Sequence, residues 1–366
     1  MITENRIGEV LLNDPANYVI GKKRGNISVI IPTYNSSSLL KEVIQAVFES
    51  GILPRELIVV DDNSTFFEKF FIEQYPVLYV RLKKNYGPSV ARNIGAGLAS
   101  GEYLLFIDDD ILIQKDTLEL IESGFNTHQE VGAIVGLLSY RHPNKDLISR
   151  YKNFYMYHSL MTSPDRFGCL YTSISAVRKA TFWKHGGFSE NLKKASVEDV
   201  DLGQRLINSN EMIFLDKRLQ VIHFKKYTLR SFVRNEFSRS YDLLAMLIKN
   251  NYMGKLFKQK RYLNNSPKVL ISTVLCAVNL GIIAVSVFFP PLLTITTLIL
   301  LILTCLNLSF IKEFAKYNPL WQTLLVPLMI MFDFTIASAG IGLSILHNIT
   351  HIFYKNEDIT NVSLSN

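Results

Sequence analysis

The chain has 366 residues, 48% of them hydrophobic and 19% charged, with a formal net charge of +7 at pH 7. That is enough apolar chain for one large domain or two of ordinary size, and it excludes a disordered polymer. The charge is uneven: residues 269–366 hold three Lys or Arg against four acids, which leaves 36 against 28 for residues 1–268.

Residues 1–25 read as a polar N-terminal extension. Met1 to Lys23 lacks the charged start and apolar middle of a signal peptide, so the domain that follows is expected in the cytosol. Ile27–Ile31 is a β-branched run, followed by Pro32, Thr33, Tyr34 and Asn35 and a serine cluster suited to cap a helix over Leu39–Ser50. Strands are predicted at Leu57–Val60, Val77–Leu82 and Tyr103–Ile107, with a helix over Ser89–Ala99. Strands alternating with helices predict an α/β fold with a mainly parallel sheet covered on both faces. Ligands of such sheets collect beyond the carboxyl ends of the strands, where Thr33–Asn35, Asp61–Ser64 and Asp108–Asp110 all fall. Gly95, Gly97 and Gly101 miss the spacing of a dinucleotide fingerprint and read as close packing or a helix end.

Between Lys217 and Lys268 thirteen basic residues face two acidic ones. An anionic membrane surface fits that cluster better than nucleic acid, because juxtamembrane Lys and Arg are drawn to lipid headgroups and fix the cytoplasmic side. Residues 229–268 are accordingly read as a basic juxtamembrane helical segment, and 269–346 as a membrane region with helices at 269–289, 292–311 and 320–346, followed by a tail at 347–366. Positive-inside counting keeps Lys249–Lys268 and Lys312–Lys316 in the cytosol. Asp333 is costly in lipid, so the third segment either turns it toward the bundle or a partner, or lies at the interface. Cys169, Cys276 and Cys305 are too scattered for a disulfide framework or a zinc site.

Asp108, Asp109 and Asp110 directly follow an apolar strand, where a divalent cation would offset their mutual repulsion; the alternative is a solvated acidic turn. In extended backbone Asp108 and Asp110 point the same way while Asp109 turns aside. Around this triplet the sequence resembles glycosyltransferase family 2, the inverting enzymes with the GT-A nucleotide-sugar-binding fold. The resemblance runs through Val29–Asn35, Ile58–Ser64, Asn85–Gly95, Phe106–Asp110, and Gly186-Gly187-Phe188 followed by Glu198–Leu202.

It implies that residues 26–228 are a GT-A catalytic domain; together with the apolar helices and basic segment that follow, the chain is expected to be a multi-pass plasma-membrane protein. It further implies that Pro32, Thr33, Tyr34, Asn35, Asp62, Arg92, Asp108 and Asp109 bind a nucleotide sugar, a UDP-sugar foremost. By the same resemblance Asp110, Asp108 and His223 would hold Mn2+ or Mg2+, although a histidine in an apolar strand also serves structure, and Asp199 would be the general base. Glu198 and Asp201 could instead cap the following helix. The Gln-x-x-Arg-Trp motif of processive members is absent, which favours transfer of a single sugar, and a site tethered at the bilayer suits a lipid-linked saccharide or glycolipid as acceptor. A polyprenyl-phosphate sugar synthase and a non-catalytic nucleotide-sugar-binding membrane protein are the alternatives.

Overall fold

β-branched runs flanked by polar turns build the front part of the chain, seen in a computed structural model that describes residues 4–13, 22–35, 39–66, 72–192, 196–256 and 267–363, with side chains described at all of these but 4, 255, 256 and 350–363. In chain order the front part comprises β1 (Ile7–Leu12), β2 (Ile27–Thr33), α1 (Leu39–Glu49), β3 (Glu56–Asp61), β4 (Val77–Leu82), α2 (Pro88–Leu98), β5 (Tyr103–Phe106), β6 (Ile111–Leu112), α3 (Thr117–Thr127), β7 (Val131–Leu138), α4 (Leu147–Met161), β8 (Arg166–Phe167), β9 (Ser175–Arg178), α5 (Lys179–Lys184), α6 (Glu198–Asn208) and β10 (Met212–His223). Its strands form one sheet among the described residues, ordered β1-β4-β3-β2-β5-β9-β7-β10-β6, with β8 beside β10.

β4, β3, β2 and β5 are mutually parallel, as the alternation of strands and helices predicts. Their central residues are buried on both faces, which is why Val29–Ile31 and Leu57–Val60 read as continuous apolar runs. α1 covers one face with Leu40, Val43, Ile44, Val47 and Phe48. α2 comes close enough to the sheet that a Cβ on Gly95 would stand 2.5 Å from Ile30 Cγ2, so that glycine serves packing. Beyond β5 the pattern changes: β9 runs antiparallel to both β5 and β7, and β10 runs parallel to β7. β1, inside the segment read as an extension, pairs antiparallel with β4 at the opposite edge. The serine cap expected at 36–38 lies outside the described residues.

The chain divides into two compact units, residues 1–145 with 152–226, and residues 146–151 with 227–366. The second unit is helical: α7 (Leu229–Lys249), α8 (Met253–Leu256), α9 (Pro267–Ser286), α10 (Leu293–Leu306), α11 (Leu308–Tyr317) and α12 (Leu320–Ser363). α7 opens on a reciprocal cap in which the Thr228 and Ser231 side chains each accept from the other's backbone N–H. Residues 257–266 of the basic segment lie outside the described residues.

Two helical stretches, Pro267–Ser286 and Leu320–Ile349, are long and apolar enough to cross a membrane. The span expected at 292–311 is not one straight helix: Pro290–Leu306 and Leu308–Tyr317 meet at 68°. Asn307 stands at the bend, where its side-chain amide donates to the Leu303 carbonyl at 2.9 Å, a local bond that competes with continued helix. Past it α11 is amphipathic, burying Phe310 and Phe314 while Lys312 and Lys316 stay exposed.

α9 is inverted relative to a helix in water. Its buried residues are Ser272, Cys276, Asn279 and Ser286, whereas Leu270, Ile271, Val274, Val278, Leu280, Ile283 and Val285 are exposed. Small and polar residues in a helix interface, with large apolar ones outward, match a surrounding of lipid. Ser338 on α12 donates to the Thr273 carbonyl of α9 at 2.7 Å across that seam. Asp333 is 5% exposed and accepts from the Tyr151 hydroxyl at 3.1 Å, so it faces the interior of its own unit.

Candidate active site

The carboxyl ends of β2, β3 and β5 present three polar turns that are tied to one another. The Asp62 N–H donates to the Thr33 carbonyl at 2.8 Å. The Asn35 N–H donates to Ser64 Oγ and the Thr65 N–H to Asn35 Oδ1, both at 2.8 Å. Asn35 and Asn63 sit at φ 49° and 65°, left-handed conformations that asparagine tolerates better than most residues and that cluster at functional turns. Pro32 lies in β2 opposite Val60. The Thr33 hydroxyl donates to Asp109 Oδ2 at 2.7 Å, which links the first turn to the acidic triplet. The Tyr34 ring, 49% exposed, is open to solvent at the end of β2.

Asp62 is buried and holds the start of α2. Its two carboxylate oxygens accept the backbone N–H groups of Tyr86 and Gly87, each at 2.7 Å. Gly87 has φ 94°, a conformation that favours glycine, and Pro88 then begins the helix where its missing N–H costs nothing. Burial pushes the Asp62 carboxyl above its ordinary range; the two amide donors and the nearby Asp61 charge pull in opposite directions, and burial prevails.

The acidic triplet divides. Asp108 accepts from Arg92 Nη2 at 2.7 Å and from the Ser173 hydroxyl at 3.3 Å. Asp109 points to Thr33. Asp110 meets His223, Nε2 to Oδ2 at 3.4 Å, because β6 pairs antiparallel with the end of β10, His223 opposite Ile111. Burial works against an ionised Asp110, but the hydrogen bond and charge of His223 and the charge of Lys225 outweigh it and hold this carboxyl below the usual range.

Among the described residues no group of three or more His, Cys, Asp or Glu side chains converges to hold a metal. Asp110 and His223 together offer a carboxylate oxygen and an imidazole nitrogen, donors suited to Mn2+. A divalent ion bound through so few protein groups takes its remaining ligands from substrate phosphates and water. The residues present therefore fit such an ion as a two-donor protein site; Asp108 is engaged with Arg92.

The first turn of α6 holds Glu198, Asp199 and Asp201, all buried. Glu198 accepts from Arg92 Nη1 at 2.8 Å. Asp201 pairs with Arg205 at 3.0 Å, and Arg205 also donates to the carbonyl of Gly187 at 2.7 Å and to that of His185. Asp199 accepts its neighbour's N–H, Val200, at 2.8 Å and the Thr172 N–H at 3.4 Å. Thr172 and Ser173 thus bridge Asp199 and Asp108. Asn93 exchanges two hydrogen bonds of 2.9 Å with the backbone of Phe188, fixing the loop after Gly186-Gly187. Trp183 is 38% exposed on α5 and packs edge-on to Phe182.

Sequence reasoning gave no role to Asn93, Thr172, Ser173 or Arg205. Asn93 and the glycine pair stood inside motifs already singled out, whereas Thr172 and Ser173 carry no local signal. Arg92, expected on the nucleotide, pairs with Asp108 and Glu198.

The sequence profile described as Glycosyl transferase family 2 matches residues 28–186. An uncharacterized glycosyltransferase of Haemophilus influenzae is 27% identical over 193 residues, covering 50% of this chain and 62% of that protein. The minor teichoic acid biosynthesis protein GgaB of Bacillus subtilis is 33% identical over 120 residues, 31% of this chain and 13% of GgaB, so the chain spans less than two thirds of either relative. In fold, the mannosyltransferase PcManGT of Pyrobaculum calidifontis, solved with GDP-Man and Mn2+, superposes over 91% of this chain and 90% of its own with a TM-score of 0.52 at 16% identity. The parallel strand-end crevice, its acidic turns and the matched profile make residues 28–186 a glycosyl transferase family 2 domain with a GT-A-like fold.

Proposed function

We propose that this protein is a membrane-bound, inverting, metal-dependent glycosyltransferase that moves one sugar from a nucleotide sugar, a UDP-sugar foremost, to a hydroxyl of a lipid-linked saccharide or glycolipid. The observation that carries the reading is the gathering of these acidic groups beyond the strand ends. Glu198 and Asp201 each neutralise an arginine, Asp110 pairs with a histidine, and Asp199 is held by backbone N–H groups at a helix start linked to Asp108 through Thr172 and Ser173.

In this mechanism the nucleotide lies over the ends of β2 and β3, with Tyr34 available to stack on the base and Asp62 organising the turn before α2. Asp199 takes the proton of the acceptor hydroxyl while the hydroxyl oxygen bonds to the anomeric carbon. The carbon–oxygen bond to the diphosphate breaks on the opposite face, and the diphosphate leaves with the electron pair. Attack opposite the leaving group inverts the anomeric configuration. Asp110 and His223 would hold a divalent cation, which would offset the charge of that diphosphate. The inverted polarity of α9 supports anchoring in a bilayer, where the acceptor's lipid would reside; the cytosolic placement of the catalytic unit and a plasma-membrane location rest on the charge pattern of the chain.

The decisive experiment presents the purified full chain with UDP- and GDP-sugars, Mn2+ or Mg2+, and a membrane lipid extract. Metal-dependent release of the nucleoside diphosphate, with the label recovered in the lipid fraction, is the expected result. If no nucleotide sugar binds with either metal, the reading fails. Transfer to a polyprenyl phosphate that survives Asp199→Asn would identify the sugar synthase alternative, since an ionised phosphate needs no base to attack.

A further inference from the structure

Arg92 sits on α2 with its side chain 4% exposed, Nη1 2.8 Å from Glu198 Oε1 and Nη2 2.7 Å from Asp108 Oδ1. Its Nε has no hydrogen-bond partner among the described residues, so its hydrogen bonds run to these two carboxylates. The guanidinium lies 5.6 Å from the centroid of the Phe188 ring, and Phe188 is itself pinned to Asn93 by its backbone. The second oxygen of Glu198 accepts the Ser196 N–H at 2.8 Å, which fixes the rotation of that carboxylate. A guanidinium is planar with donors in a rigid fork, so it sets the distance and angle between the two acids it joins.

One of those acids ends the segment after β5 that opens the acidic triplet; the other is the immediate neighbour of Asp199. Taking the glycosyltransferase reading above as its basis, we propose that Arg92 is a positioning residue. It contacts neither nucleotide nor metal, and it locks the Asp108 turn to the first turn of α6, so that the donor and the base Asp199 are held at a fixed separation. Lysine cannot replace it, because a single ammonium on a flexible stem offers no fork. Misplacing reacting groups by about 1 Å costs on the order of 10²-fold in rate, which is the scale expected here.

The test uses the full chain in detergent micelles with three measurements on Arg92→Lys, Glu198→Gln and Glu198→Ala. These are UDP affinity with Mn2+ by calorimetry, kcat and KM with the nucleotide sugar that the wild type turns over, and hydrogen exchange of residues 104–112 and 196–204 without ligand. For Arg92→Lys we expect kcat to fall about 10²-fold, UDP affinity to stay within about threefold, and exchange to rise in both segments together. Glu198→Gln, which keeps an oxygen for Nη1, should retain more turnover than Glu198→Ala. Adding Arg92→Lys to Glu198→Ala should cost less than Arg92→Lys alone, the non-additivity of residues that act through one contact. A tenfold loss of UDP affinity with kcat preserved would make Arg92 a nucleotide ligand and overturn the proposal. Unchanged exchange in either segment would overturn it too, since no lock would then exist. If the wild type turns over no nucleotide sugar, the glycosyltransferase reading falls by itself, while the exchange data still decide whether Arg92 joins the two segments.

Discussion

Asp199 and its two acidic neighbours occupy one helical turn. Glu198 and Asp201 face Arg92 and Arg205, whereas Asp199 is oriented by backbone donors. Asp199→Asn keeps size and hydrogen bonding but removes the basic oxygen. Transfer should fall by about 10²- to 10⁴-fold, the usual contribution of a general base, while UDP affinity with Mn2+ is retained. Turnover near the wild-type level would contradict the mechanism. Asp110→Asn makes a different cut: the charge proposed to face the metal goes while the turns at Thr33 and Asp62 remain. Calorimetry should then show UDP binding that Mn2+ no longer tightens, and an undiminished Mn2+ effect would move the metal elsewhere. Asp108, expected beside Asp110 on the metal, is bound to Arg92, which a side chain alternation rule alone has no means to foresee.

At the scale of elements, each strand-end turn is held by bonds to the next. Asp62 fastens the entry to α2, and the short β6–β10 pairing brings His223 to Asp110. The opposite ends of the strands are fastened by a carboxylate too. Glu56 opens β3 and accepts from the Ser100 N–H at 2.6 Å, and its bonds reach Ser28 as well. Burial opposes its charge, but donors from Ser28, Ser100 and Gly101 prevail and hold its carboxyl below the ordinary glutamate range. A carboxyl lowered by folding stabilises the fold above its unfolded-state pKa, and that contribution disappears as pH falls through the folded value. The melting temperature of the wild type should therefore exceed that of Glu56→Gln at neutral pH, with the gap closing in acid. A gap independent of pH would count against the ionised hydrogen-bonded form. The parallel strands of this region were legible because each is an apolar run of β length followed by a polar turn; β9 and β10 were not, because their pairing depends on partners distant in sequence.

For the molecule as a whole, the two units differ in what they bury. The first unit buries its apolar strands, while α9 of the second turns valine, leucine and isoleucine outward and serine, cysteine and asparagine inward. Val278, near the middle of α9 and 52% exposed, tests this directly. Val278→Lys should hinder membrane insertion by about 2.5–3.5 kcal/mol, read as the inserted fraction in a translocon-based insertion assay. Insertion unaffected by that lysine would mean that α9 lies outside the hydrocarbon. The bent pair α10 and α11 behaves otherwise: the turn at Asn307 and the exposed Lys312 and Lys316 give it a polar side that a straight span lacks.

The sequence by itself determined the parallel half of the sheet, the strand-end position of Thr33, Asp62 and Asp108–Asp110, and the apolar character of residues 269–346. Each of these depends on periodicity and local composition, which act over a few residues. Only the tertiary structure decided which acid meets which cation. Arg92 and Glu198 are 106 residues apart, and their pairing follows from how α2 and α6 are set around the sheet. The same holds for His223 with Asp110 and for Thr172 with Asp199, contacts made by chain segments that share no local pattern. The inward face of α9 belongs to this second class, because a uniformly apolar run does not state which of its sides packs against a neighbour, and the helix packed against it does.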